Sequence, residues 1–421
     1  MNAATRIKLS VMMFLEYAIW SVWALMLYVH LKGLFGEGHE LSIGLIMACG
    51  GIGSILGPFI MGQLADRYFA TEHVLAFCHL AGGVLLIAAA QFTTFWPIFL
   101  LMLVYCSLYF PTVGLTNSLT FRALGDEHAS LFAPIRLWGT IGWLLATFLV
   151  GRYLGLGSST HPALKPFFDL VGEPGLRDVL RIPGLISLVF GLYCFALPHT
   201  PPVPAAATNV AKKSAFIESL QLMKDRSFAV LLLVCGFFGF ALYYYFQCEQ
   251  GFLLHIHSSK NNVGTQMTLG QIGEMTSMAL VPFFIVRLGM KRTMILGGLA
   301  YVVMFALNML GQPWALMVGD NILHGFCFGF LFVTASIYVD RAASADIKAS
   351  AQSLFVFVVY GLFNVVGNVG AGYIRDLLLP NWAAIWAIPL AVTVVFLLVF
   401  LALFHEEKVI DVEPKVETAA A

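Results

Sequence analysis

Charge is scarce in this chain, and what there is cancels. Only 11% of the 421 residues are charged, 23 basic against 23 acidic, where soluble domains carry about 25%. The remainder is too apolar for a soluble core: 59% is hydrophobic, at a mean hydropathy of +0.85. The composition reads as an integral membrane protein. The balanced charge argues against nucleic acid as a partner, because such proteins show a basic face. Cysteine is sparse too. Seven residues (Cys49, Cys78, Cys106, Cys194, Cys235, Cys248 and Cys327) stand singly in apolar stretches. No pair has metal-ligand spacing, so they read as small core hydrophobes, with no metal or cofactor expected. There is no P-loop, no Rossmann glycine pattern and no H-E-x-x-H, so an ATP-driven pump or a membrane metalloprotease lacks its motif. Arg6 and Lys8 precede an apolar run with no A-x-A site, which predicts an uncleaved first span.

What is abundant is apolar sequence in runs of about 20 residues, the length that crosses a bilayer. Twelve are predicted, near 8–31, 41–63, 73–91, 95–118, 132–151, 180–198, 227–254, 266–287, 293–310, 313–338, 349–374 and 383–404. The polar stretch 199–226, with Pro201, Pro202, Pro204, Lys212 and Lys213, divides them six and six. The expected organisation is a helical bundle over 1–198, a central loop over 199–226, a second bundle over 227–404 and a tail over 405–421. The positive-inside rule sets the orientation. With the N-terminus inside, fifteen Lys and Arg lie in cytoplasmic segments and seven outside; Arg136, within a span, completes the 23. Both termini are then cytoplasmic. The outside loop 152–179, rich in Gly and Pro, reads as lid-like or irregular.

Two loops hint at a repeat. Gly62-Gln63-Leu64-Ala65-Asp66-Arg67 follows span 2, and Arg287-Leu288-Gly289-Met290-Lys291-Arg292 follows span 8. The first is similar to the G-x-L-a-D-r loop of the major facilitator superfamily, and the second is a degraded counterpart. Twelve spans with a central loop and these segments resemble that superfamily, which implies two six-helix halves. Glycines concentrate in span 2 (Gly44, Gly50, Gly51, Gly53, Gly57, Gly62) and span 11 (Gly361, Gly367, Gly370, Gly372). Small residues let helices approach closely in lipid. The resembled fold packs these two spans across the halves; packing within a half is the alternative for any one glycine.

Two charges lie where charge is costly, about 2.5–3.5 kcal/mol at membrane depth on insertion scales. Arg136, Thr140 and Trp143 are spaced i, i+4, i+7 and share one face of span 5. A cation, a hydroxyl and a large ring on one stripe can hold a polar ligand with a flat part. Alternatively, Arg136 snorkels to the cytoplasmic interface. In span 8, Gln271 and Glu274 share a face at i, i+3. Burial disfavours a charged carboxylate, so Glu274 is a candidate to carry a proton or to bind substrate hydroxyls; a salt bridge to Arg136 is the structural alternative. Glu16 in span 1 is a second proton candidate, against pairing with a neighbouring helix. His324 in span 10 can titrate near neutral pH or donate to substrate, or simply be structural. Span 7 is crowded with rings, and in it Tyr244 and Gln247 share a face.

Several stretches resemble the bacterial nucleoside permeases, the nucleoside:proton symporter family. They are Pro134-Ile135-Arg136-Leu137-Trp138-Gly139-Thr140-Ile141-Gly142, Gln271-Ile272-Gly273-Glu274, and Tyr109-Phe110-Pro111-Thr112-Val113-Gly114-Leu115 with Asn117. Leu197-Pro198-His199, Ile347-Lys348-Ala349-Ser350-Ala351-Gln352, and Trp20 with Trp23 add to them. They run in order from span 1 to span 11, so the resemblance covers the chain. It implies a nucleoside site formed by Arg136, Thr140, Trp143, Gln271 and Glu274. It also implies polar contributions from span 7, with Tyr244 and Gln247 the nearest counterparts. On span 10 the family has an aromatic, a phenylalanine and an aspartate; here the positions read His324, Phe328 and Gly329, so the acid is absent. The expected function is a monomeric, multi-pass importer of nucleosides with protons in the cytoplasmic (inner) membrane, surrounded by lipid and not an enzyme. A carrier of another polar solute such as a sugar or glycoside, or a non-transporting nucleoside receptor, is the alternative.

Overall fold

The computed structural model describes residues 2–57, 60–61, 64–65, 68–125, 128, 131–155, 161–201, 220–256, 260–312, 323–343 and 347–406. Among them no strand occurs. Helices suit an apolar chain because each satisfies its own backbone hydrogen bonds, which lipid cannot do.

The first half comprises α1 (Ala3–Phe35), α2 (Glu40–Gly57), α3 (Thr71–Ala89), α4 (Phe95–Leu124), α5 (Phe132–Leu154) and α6 (Asp178–Cys194). The second comprises α7 (Arg226–His255), α8 (Lys260–Leu288), α9 (Met290–Leu310) and α10 (described over His324–Ala342). It continues with α11 (Lys348–Val356, Phe357–Leu362 and Phe363–Leu378) and α12 (Trp382–Leu403). One apolar core gathers Met12, Tyr105 and Phe190 from the first half, and another gathers Phe238, Tyr301 and Trp386 from the second.

Ten of these helices are long and apolar enough to cross a membrane, among the described residues. Helix α6, at 17 residues, is shorter. Helix α8 has 29 residues and carries Gln271 and Glu274, which wall the cavity described below.

Three helices are irregular at that cavity. Helix α1 breaks at Leu25–Met26, between Ala3–Ala24 and Leu27–Phe35. Helices α10 and α11 carry π-helical turns at Phe328–Val333 and Phe357–Leu362. Such turns inside helices recur at functional sites.

The halves meet where α2 packs on α11. A Cβ on Gly44 would lie 2.5 Å from the Asn368 carbonyl oxygen, and one on Gly372 would lie 2.5 Å from that of Glu40. The G-x-x-x-G pair points elsewhere. Cβ atoms on Gly53 and Gly57 would meet the carbonyls of Cys106 and Ser107 on α4, so this pair packs within its half.

Loop ends are pinned by charge. Glu72 accepts from the Thr200 backbone N–H (3.0 Å) and lies 2.6 Å from His199 Nδ1, holding the start of the central loop. Glu406 accepts from the backbone N–H groups of Met290 and Lys291, at the positive end of α9. Gly289, just before α9, has φ +82°, which suits glycine. Gly62, Gln63, Asp66 and Arg67 of the matching first-half loop lie outside the described residues, as does most of 199–226. In the 152–179 segment a short helix forms over Lys165–Val171.

Candidate functional site

The site grows from the contact of α1 with α5. Gly142 lets α5 press against α1: a Cβ there would lie 2.2 Å from the Phe14 carbonyl oxygen. Gly139 repeats the device against the Tyr17 ring, at 2.7 Å. That approach places the Arg136 guanidinium over Tyr17, 3.9 Å from the ring centroid. A cation over an aromatic face is electrostatically favoured, and this contact holds Arg136 inward rather than snorkelling. Thr140 and Trp143 follow on the same face, as their spacing requires. Trp143 stands edge-on to Trp20 at 5.3 Å. Its indole N–H is buried and has no hydrogen-bond partner among the described residues.

The opposite wall is α8, which packs on α5 from the other half. Its position is fixed by α10. A Cβ on Gly325 would lie 2.1 Å from the Gly273 carbonyl carbon, and Ser277 Oγ donates to the Gly325 carbonyl at 2.6 Å. Gln271 and Glu274 then face inward. Glu274 and Arg136 are near enough for their charges to interact. Among the described residues no ion pair joins them, so the salt bridge expected as an alternative is not made.

Between these walls lies a cavity of about 450 Å³, within the range of small-molecule sites. Arg136, Thr140, Trp143, Gln271, Glu274 and Phe328 all line it, together with Tyr17, Trp20, Phe110, Tyr243, Phe246, Tyr360, Asn364 and Asn368. Among the lining residues Arg136 is the one cation and Glu274 the one carboxylate.

A model of the nucleoside H+ symporter family matches residues 1–409. The chain belongs to this family. It is 32% identical over 418 residues to the putative nucleoside transporter YegT of Escherichia coli (strain K12), covering 96% of this chain and 94% of that one. Nucleoside permease NupG of the same organism is 26% identical over 427 residues, covering 96% and 97%. The crystal structure of nucleoside transporter NupG matches with a TM-score of 0.81 at 25% identity, over 97% of this chain and 100% of that one. A D-xylose-proton symporter, 13% identical with a TM-score of 0.76 over 97% and 99%, shares the major facilitator fold.

In this nucleoside H+ symporter, four expected residues stand off the cavity. Tyr244 and Gln247 occupy the wrong face of α7. The Tyr244 hydroxyl donates to the Ile385 carbonyl at 2.9 Å, toward α12. Gln247 Nε2 donates to the Glu40 carbonyl (3.4 Å), between the halves. Tyr243 and Phe246 line the cavity in their place. His324 stacks on Tyr245 at 4.8 Å and meets Phe246 edge-on at 5.5 Å, one ring behind the wall. Glu16 is fully buried within its own half: Oε2 lies 3.0 Å from His79 Nε2, and Oε1 accepts from Thr112 Oγ1 at 2.8 Å. Pairing to neighbouring helices, the alternative for Glu16, is what the geometry has.

Gly329 also acquires a physical account. A Cβ there would lie 2.3 Å from Ser277 Oγ, so with α8 and α10 in this contact an acidic side chain has no room.

Proposed function

We propose that this nucleoside H+ symporter imports nucleosides across the cytoplasmic membrane, with both termini inside, and that the cavity between its halves is the substrate site. The observation that carries the reading is the placing of Arg136 and Glu274 on facing walls of one cavity, one from each half. Ribose offers hydroxyls that a guanidinium, a carboxylate, the Gln271 amide and the Thr140 hydroxyl can hold. The base has a flat face for Trp143 or Phe328, and the unpartnered indole N–H of Trp143 is a donor in waiting. Sites at the junction of two helical repeats suit alternating access, in which the halves rock about a fixed ligand.

Glu274 is the proposed proton carrier, as the carboxylate that substrate and a proton would both meet. Glu16 is already paired to His79, and His324 stands behind the wall. The proposed transport unit is a monomer, in which described residues of both halves line the cavity. Uptake of labelled uridine and adenosine by cells expressing the chain tests the proposal; nucleoside-independent uptake of sugars in their place would overturn it.

A further inference from the structure

The lining residues carry a second polar group that the ribose contacts do not use. Asn364 and Asn368 stand one turn apart on α11, and both line the cavity. Helix α11 packs on α2 and α7, away from the α5–α8 wall. Both amides are buried, at 6% and 3% exposure. They orient each other: Asn368 Nδ2 donates to Asn364 Oδ1 at 2.9 Å and to the Asn364 carbonyl at 3.0 Å. Their mutual bonds commit the Asn368 N–H groups and one Asn364 oxygen. One Asn364 amide N–H is turned to the Tyr243 oxygen as a donor, and its second N–H and the Asn368 Oδ1 remain.

The cavity's polarity thus falls into two clusters, one charged on α5 and α8 and one of neutral amides on α11. A nucleoside has the same division, with hydroxyls at one end and a donor–acceptor edge on the base at the other. We propose that Asn364 and Asn368 are specificity determinants that hydrogen-bond the polar edge of the base while the α5–α8 wall holds the ribose. This assignment rests on the reading of the cavity as the nucleoside site. A neutral donor–acceptor pair matches any base that sets a donor beside an acceptor. It rejects a ligand without that edge, because the buried amides would then go unpaired.

Binding of uridine, adenosine and a riboside carrying phenyl in place of the base tests this in purified protein. The variants are Asn364→Leu, close in volume, and Asn364→Ser. Both should weaken uridine and adenosine by about tenfold or more, with phenyl riboside bound no more weakly than by the wild type. Retained phenyl riboside binding also shows that the variant is folded. Equal losses for all three ligands, or no loss for any, would overturn the assignment. A wild-type protein that binds no nucleoside would instead overturn the reading of the site itself. A wild type that binds uridine no better than the phenyl riboside overturns the asparagine assignment alone.

Discussion

The Arg375 guanidinium and the Glu40 carboxylate meet at 3.0 Å across the two halves, their side chains 1% and 0% exposed. Around them Lys32 Nζ lies 2.5 Å from the other Glu40 oxygen, and Tyr28 bonds both partners. Asp376, next to Arg375, accepts from the Glu40 and Leu41 backbone N–H groups at the start of α2. In the proposed orientation, with both termini inside, this cluster lies at the outer end of the junction, and admitting substrate from outside would break it. Removing one partner of a buried pair costs about 3–5 kcal/mol, and here the cost falls on the closed state. Glu40→Ala should therefore speed labelling, from outside, of a cysteine introduced at Thr140. Unchanged labelling would contradict a closing role.

Position 329 makes a packing prediction. A side chain at Gly329 must displace Ser277, and overpacking of this kind costs about 1–3 kcal/mol. Gly329→Asp should lower the melting temperature, and Ser277→Gly in the same chain should recover part of the loss. A Gly329→Asp protein of wild-type stability, with stronger proton-driven uptake, would show that the contact yields to an acid.

Glu16 should behave as a structural residue. Glu16→Ala leaves the buried His79 Nε2 without its partner, at about 1–3 kcal/mol, while Thr112 keeps the Tyr109 carbonyl. The melting temperature should fall while uridine affinity in the folded fraction holds, since Glu16 does not line the cavity. A stable Glu16→Ala protein that binds uridine but has lost proton-driven accumulation would move the coupling role to Glu16.

Glu274→Gln should separate coupling from exchange. In proteoliposomes an acid exterior should drive uridine accumulation by the wild type. The variant, unable to take up and release a proton, should show no response to the gradient. Accumulation by the variant that follows the gradient would remove Glu274 from the proton path.

The sequence was most legible where charge sits in apolar surroundings. Arg136, Thr140, Trp143, Gln271 and Glu274 stood out because helical spacing places each set on one face, and the fold turns both faces to one cavity. Helix α7 was illegible for the opposite reason. It is buried nearly all round and crowded with rings, so no stripe marks its inner face. The span 7 counterparts thus fell on Tyr244 and Gln247 instead of Tyr243 and Phe246. Asn364 and Asn368 had a readable signal, two amides at i, i+4 in an apolar span, which the neighbouring glycines overshadowed. Tyr17 beneath Arg136 had none, because its role depends on how closely Gly139 and Gly142 bring α1 to α5. The twelve-span organisation followed from hydropathy, α8 included, although Gln271 and Glu274 interrupt its apolar run.

Arg136 and Glu274 are proposed as facing walls of one nucleoside site. The most direct measurement is thermal stabilisation of the purified protein by nucleosides, free bases and sugars, repeated with Arg136→Ala. Hydrogen bonds to charged groups contribute about 1.5–3 kcal/mol, so the variant should lose most of the nucleoside-induced shift. Uridine or adenosine should stabilise the wild type, and that stabilisation should be lost in Arg136→Ala. Equal stabilisation of both proteins, or stabilisation of the wild type by sugars alone, would contradict the proposal.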